Sequence, residues 1–370
     1  MSRPGQRIVT WNLGVEHRVS SPVLHVTGAR PNFPKAAPVM RALADRAVPQ
    51  RLLHTGQHYD ELLSEVFFRQ LGLPKPDINL GVGSGSHARQ TASIMTGLED
   101  VLTDVRPALV VVYGDVNSAV AAALVASKLG IRIAHVEAGL RSFEEDLPEE
   151  INRRVTDRLS DLLFATTPEA IAHLGNEGIH PARIHLVGNP MIDTLLANLD
   201  RFVAPAGNPR YLVATLHRPA NVDRADDAAE LVKALHTVAD QVEVVVPLHP
   251  RGRNSLCDAG LVDHPRVRVI DPLGYVEFLG LVNGAQVVIT DSGGVQDETT
   301  MLGVPCLTIR PTTERPATIS HGTNRLVTRD RLAAEVEQRL ADGRPDSWPT
   351  PPLWDGHAGE RIAAVIEGAV

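Results

Sequence analysis

Cysteine is nearly absent from this chain: Cys257 and Cys306 are the only two in 370 residues. Two thiols cannot staple a protein of this length, so a disulfide framework is excluded and a reducing cytoplasm is the expected compartment. A basic excess is missing too. Lys and Arg number 36 against 44 Asp and Glu, a net charge of −8, so no surface argues for nucleic acid. An anionic small ligand stays open, because local arginines and helix N-termini bind anions whatever the total charge. No run approaches the ~20 apolar residues of a membrane span. The first 21 residues are polar, carry His17 and Arg18, and lack the apolar core of a secretory signal; they read as a loosely attached arm. There is no Walker A motif, no Gly-x-Ser-x-Gly elbow, no sequence repeat and no low-complexity tract.

What remains is an ordinary globular composition, 43% hydrophobic and 22% charged, in a chain long enough for two α/β domains. Short apolar runs alternate with helical stretches almost throughout. Val23–Thr27, Arg51–Thr55, Ile78–Leu80, Ala108–Val112, Ile131–Val136, Leu162–Ala165 and Ile184–Val187 are the strand candidates of a first half. Asp200–Pro209, with two prolines and a glycine, is the best linker. The pattern then restarts with Tyr211–Leu216, Val242–Leu248, Val267–Ile270, Val287–Thr290 and Cys306–Ile309. Residues 341–356 read as a loop leading to a last helix at Gly359–Gly368. The expected architecture is two Rossmann-like parallel-sheet α/β domains facing a cleft. Its expected boundaries are an arm at 1–21, a first domain at 22–199, a linker at 200–210, a second domain at 211–352, and a tail helix at 353–370 packing back on the first domain.

The densest chemistry lies between Val110 and Arg154. Two apolar runs flank the Ala-rich helix former Ala119–Leu129, a strand–helix–strand crossover of the length that joins parallel strands. In open α/β sheets the ligand sits beyond the carboxyl ends of the strands. Asp115 and Glu137 stand at those ends, and Glu149 and Glu150 follow. Carboxylates gathered on one rim suit proton transfer, although they also cap helices and pair with Arg141, Arg153 and Arg154.

In the second half, Asp291-Ser292-Gly293-Gly294 follows a strand and opens a helix, a turn whose glycines admit close approach of phosphate to backbone N–H groups. Glu298 in that helix can accept a sugar hydroxyl pair or complement the helix dipole. Gly28-Ala29-Arg30-Pro31 is the matching first-half turn, where Arg30 and Lys35, one of only four lysines, can reach a diphosphate. His217-Arg218 and His249 end two further strands. Gly81–Ser86 imitates a dinucleotide fingerprint, but its sixth position is Ser86 and Asp104 follows a helix rather than a strand. The pair His54 and His58 sits across a strand-to-turn boundary, an improbable zinc site. No metal or cofactor is expected.

At these positions the chain resembles the non-hydrolysing UDP-N-acetylglucosamine 2-epimerases, from Val23 to the end. The stretches GARPNFPKAAPVMRAL, VYGDVNSAVAAAL, HVEAGLRSFEEDLPEEINR, VGNPMIDTL, TLHRPANVD, TDSGGVQDETTMLGVPCLTIR and TTERP carry the likeness. It implies a glycosyltransferase-B-like fold, a UDP-N-acetylhexosamine in the interdomain cleft and a homodimer. Matched position by position, it implies catalytic roles for Asp115, Glu137, Glu149 and His217. Substrate- or UDP-binding roles follow for Arg30, Lys35, Arg141, His249, Phe278, Ser292, Gly293, Gly294 and Glu298. The segment RSFEEDLPEEINR has the length of an archaeal-type subgroup. Tyr59-Asp60 departs from the bacterial pattern associated with a second, activating UDP-N-acetylglucosamine.

Chemistry converges on the same expectation. The C2 proton of a UDP-hexosamine is not beside a carbonyl, so inversion needs either transient oxidation or departure of UDP with loss of that proton. The first route requires a dinucleotide site that the sequence lacks in convincing form. The second requires cations for the departing diphosphate and carboxylates for the proton.

Overall fold

The computed structural model describes residues 21–57, 67–203, 210–248 and 250–370. The arm at 1–20, the dipeptide Tyr59-Asp60, His58, the linker segment 204–209 and His249 lie outside the described residues.

Thirteen described strands form two all-parallel sheets. The first contains β1 (Val23–Thr27), β2 (Gln50–His54), β3 (Ile78–Asn79), β4 (Leu109–Tyr113), β5 (Ile133–Ala138), β6 (Leu162–Ala165) and β7 (Ile184–Leu186). The second contains β8 (Tyr211–Thr215), β9 (Glu243–Pro247), β10 (Val267–Ile270), β11 (Val288–Thr290), β12 (Cys306–Thr308) and β13 (Asn324–Leu326). Their orders are β3-β2-β1-β4-β5-β6-β7 and β10-β9-β8-β11-β12-β13. The two halves therefore wind identically, each reversing direction beside its own first strand. That reversal leaves a crevice at the carboxyl ends of β1 and β4 in one sheet and of β8 and β11 in the other.

The strands are continuous apolar runs because helices cover both faces. On one face of the first sheet Leu24, Val26, Val110 and Val112 pack against Ile94, Leu98 and the alanines of helix 117–128. On the other, Val23, Leu52, Val111 and Val136 meet Phe33, Val39 and Leu43 of helix 33–45. The second sheet does the same with Leu231, Val232 and Leu235 of helix 225–239.

Helix 358–367 lies on helix 33–45, so closely that a Cβ on Gly359 would stand 2.7 Å from the Pro38 backbone. Its first turn is held by Asp193, whose carboxylate accepts the N–H groups of Ala358 and Gly359 at 3.1 and 2.7 Å. Among the described residues no helix is long and apolar enough to cross a membrane.

Candidate active site

The functional side chains come from the carboxyl ends of strands, the turns that follow them and the helices those turns open. After β1, Asn32 closes the turn on itself: its Oδ1 accepts Gly28 N–H and Ala29 N–H at 2.9 and 3.0 Å, and its amide donates to the Tyr113 carbonyl at 2.7 Å. The backbone donors of this turn are thus consumed internally. A Cβ on Gly28 would sit 1.9 Å from Ser118 Oγ, so only glycine fits there. Arg30 opens the short 3-10 turn at 30–32, half-buried.

Lys35, expected beside the diphosphate, is paired within the chain. It is buried, and its ammonium donates to the carboxylate of Glu137. Glu137 itself lies within β5, not beyond it, because the strand shifts register between Val136 and Ala138 and Glu137 adopts a φ of +73°. A left-handed non-glycine residue at the end of a central strand stores about 1–3 kcal/mol of strain and persists only where its surroundings fix it. They do: Arg315 donates to the other Glu137 oxygen at 3.0 Å. Burial alone would raise the Glu137 pKa, but Lys35 and Arg315 outweigh it and hold the carboxyl below its ordinary value.

Asp115 follows β4 and keeps 32% of its side chain exposed to the cleft, with Arg153 at 2.5 Å. Arg153 is in turn fixed by Glu150 at 2.7 Å, and Glu150 accepts the Ser142 N–H at 3.0 Å. So Glu150, buried, is the pivot of helix 148–159. Glu149 beside it is half-buried and makes no hydrogen bond or ion pair with the described residues.

From the second sheet, β11 runs into Asp291, which is buried and gathers the β8 turn. It accepts the N–H groups of His217 and Arg218 at 3.1 and 2.9 Å and the Asn221 amide at 3.0 Å. His217 Nδ1 stands 3.1 Å from Asp291 Oδ1, and 37% of the His217 side chain is exposed. Ser292 is the N-cap of helix 293–302, yet its hydroxyl does not cap it. Gly293 is required by neighbours rather than by open space, since a Cβ would fall 2.4 Å from Glu314 Oε1 and 2.9 Å from Arg315 Nε. A Cβ on Gly294 would lie 3.4 Å from Met191 Cε, on the first domain's side.

Glu298 and Asp297 occupy the first turns of the same helix, buried. Burial pushes the Glu298 carboxyl up to about 8 and that of Asp297 up to about 7. Phe278 is half-buried on helix 275–284, against the core.

Arg141 is brought to none of these. It is fully buried, bound to Asp157 at 2.8 Å and to Glu177 at 2.7 Å. Its guanidinium holds the loop after β5 to the body of the domain. Conversely, Arg315 and Asp297 were not singled out from the sequence, although TTERP contains the former. Arg315 joins Glu137 in β5 to Asp297 on helix 293–302, the latter at 3.3 Å. Further contacts cross the cleft: the Asn189 amide donates to Asp297 at 3.1 Å, Thr312 donates to Glu144, Arg310 pairs with Glu144 at 3.6 Å, and Gln70 donates to Glu277 at 2.8 Å. Lys35, Glu137, Arg315 and Asp297 therefore form one chain of alternating charge across the crevice, with Asp115 and His217 on its flanks.

A family described as UDP-N-acetylglucosamine 2-epimerase matches residues 41–367. The chain is 40% identical over 361 residues to the UDP-N-acetylglucosamine 2-epimerase of Methanococcus maripaludis, covering 93% of this chain and 97% of that one. It is 42% identical over 353 residues to the UDP-2,3-diacetamido-2,3-dideoxy-D-glucuronate 2-epimerase of Pseudomonas aeruginosa, covering 93% and 99%. The crystal structure of the Methanocaldococcus jannaschii UDP-GlcNAc 2-epimerase in complex with UDP-GlcNAc and UDP superposes with a TM-score of 0.87 at 38% identity, covering 94% of this chain and 99% of that one. Taken with the paired crevices and their charged bridge, these likenesses place the chain in the UDP-N-acetylglucosamine 2-epimerase family.

Proposed function

We propose that this chain is an isomerase that interconverts UDP-N-acetylglucosamine and UDP-N-acetylmannosamine by eliminating and re-adding UDP. Removal of the C2 proton to a carboxylate accompanies cleavage of the C1–O bond, whose electron pair leaves on the β-phosphate oxygen. A C1=C2 double bond forms, giving 2-acetamidoglucal. UDP oxygen then attacks C1 while a proton reaches C2 from the opposite face, so two proton carriers are needed.

The single observation that carries this proposal is the bridge Lys35–Glu137–Arg315, two cations clamping one carboxylate where the crevices meet. A diphosphate entering beside Ser292–Gly294 competes with Glu137 for both cations. Losing them raises the carboxylate's basicity at the moment substrate is present, while the cations turn to the departing anion. Asp115, one-third exposed, is assigned to the other face, and Glu149 remains a candidate for relaying its proton. His217, oriented by Asp291, is assigned to the diphosphate. Arg30, Phe278, Glu298 and His249 are assigned to the nucleotide as the resemblance implies, with Glu298 on the ribose. The enzyme is proposed to act in the cytoplasm as a homodimer.

The 42% identity to the Pseudomonas enzyme favours a second substrate, a UDP-2,3-diacetamido uronic acid, as the alternative within the same chemistry. Incubation with each UDP-sugar in deuterated water, followed by NMR, separates them. Deuterium at C2 with UDP-N-acetylmannosamine appearing supports the proposal. Free N-acetylmannosamine denotes a hydrolysing enzyme, and exchange only with the diacetamido sugar moves the substrate assignment.

A further inference from the structure

Behind the cleft lies a buried pair that reaches no ligand surface yet touches both catalytic strand ends. His135 stands in β5, two residues before Glu137, wholly buried. Its Nδ1 is 2.6 Å from Asp157 Oδ1 and its Nε2 is 2.9 Å from the Gly114 carbonyl oxygen. A carbonyl oxygen can only accept, so Nε2 donates to Gly114, and Nδ1 shares its hydrogen bond with the Asp157 carboxylate. Asp157 is kept ionised: burial would raise its pKa, but His135 and Arg141 together hold it below the usual range. Its second oxygen accepts the Gly139 N–H at 3.1 Å and meets Arg141 at 2.8 Å.

Both anchor points are the turning points of the catalytic loops. Gly114 precedes Asp115 at a φ of +63°, and a Cβ there would stand 3.0 Å from both Glu137 Oε2 and Lys35 Nζ. Gly139 follows Glu137 at a φ of +82°, and a Cβ there would fall 2.5 Å from the Ala170 carbonyl oxygen. The ring therefore holds the peptide that leads into Asp115, and Asp157 holds the Ala138–Gly139 peptide just past Glu137.

We propose that His135 and Asp157 are positioning residues that fix Asp115 and Glu137 relative to each other, so that proton transfer at C2 depends on a hydrogen-bonded pair the substrate never touches. This rests on the epimerase function proposed above. Geometry is the stake: a misplacement of about 1 Å by a remote substitution costs up to about 100-fold in rate.

The test compares His135→Gln, which can still reach the Gly114 carbonyl, with His135→Asn, which can reach only Asp157, and with Asp157→Asn. Turnover, KM, UDP affinity by calorimetry and melting temperature are measured for each. The expected result is kcat lowered about 10-fold or more in His135→Asn and Asp157→Asn, with KM and UDP affinity within about 3-fold of the parent and partial rescue in His135→Gln. Folded variants with unchanged kcat, or with kcat and UDP affinity lost in parallel, overturn the proposal. Should the variants not fold, nitrogen-15 NMR of the His135 ring in the unaltered protein decides: a protonated Nε2 upholds the bond to the Gly114 carbonyl and an Nε2 without a proton overturns it. If the unaltered protein exchanges no C2 proton, the epimerase function fails, and the ring spectrum still reports on the Gly114 contact.

Discussion

Asp297→Asn isolates what burial does to the charge at the centre of the cleft. Asn189 Nδ2 and Arg315 Nε both meet the same oxygen, Oδ2, at 3.1 and 3.3 Å. An amide oxygen placed there keeps both contacts and removes only the charge. Burial pushes the Asp297 pKa from 3.8 up to about 7, against Arg315 and aided by Glu137. An acid raised in the native state holds its proton more tightly when folded, so stability falls as pH rises from about 4 to about 7, and the loss is complete above that. At 1.36 kcal/mol per pH unit the ceiling is about 4 kcal/mol, and coupling to Glu298 and Arg315 reduces the expectation to about 2–3 kcal/mol. Urea unfolding followed by circular dichroism from about pH 4.5 to 9 reads the effect. The variant should match the parent at the acid end and exceed it by about 2–3 kcal/mol at the alkaline end. Parallel curves, or a variant weaker at high pH, would refute the reasoning. Either would mean that the attraction of Arg315 outweighs burial.

Glu137→Gln and Asp115→Asn should each fold normally and lose turnover by about 100-fold or more, and near-normal rates would remove either residue from the proton-transfer assignment. Arg141→Met should cost about 3 kcal/mol in stability by removing the buried guanidinium that Asp157 and Glu177 share, while the folded protein binds UDP with unaltered affinity in a calorimeter. Weakened UDP binding would restore Arg141 to the ligand. Gly188→Ala places a Cβ 2.0 Å from the Leu353 carbonyl oxygen at a φ of +86°. Melting should fall by several degrees, since the chain cannot relax there without moving the tail segment. Burial raises the Glu298 pKa to about 8, so it is mostly protonated at neutral pH, and accepting a ribose diol favours its anion. UDP binding should then release protons near pH 7 and tighten as pH rises toward about 8, and calorimetry in buffers of different ionisation heat would detect no release if Glu298 does not meet the ribose.

Strand positions were legible because parallel strands buried on both faces leave unbroken apolar runs, as in Leu109–Tyr113, and their polar termini mark the cleft. Glu137 was recognised, but its place inside β5 was not, because a bulge at a left-handed glutamate has no local sequence signature. The bridge was invisible for a different reason. Arg315 and Glu137 are 178 residues apart, and only the facing of two sheets brings them together. The Asp157 partner of Arg141 was not legible, because an arginine at a strand end looks the same whether it faces a ligand or a buried carboxylate. Glu149 and Glu150 could not be told apart by spacing alone, since the helix register decides which one turns inward to Arg153.

Whether the glycosyl C–O bond breaks and re-forms can be read directly from UDP-N-acetylglucosamine carrying oxygen-18 in the bridge between C1 and the β-phosphate. Elimination frees that oxygen to rotate among the β-phosphate positions before UDP re-adds. Label appearing in non-bridging positions of recovered substrate and of UDP-N-acetylmannosamine is the predicted result. Epimer formed with the label wholly retained in the bridge would contradict it.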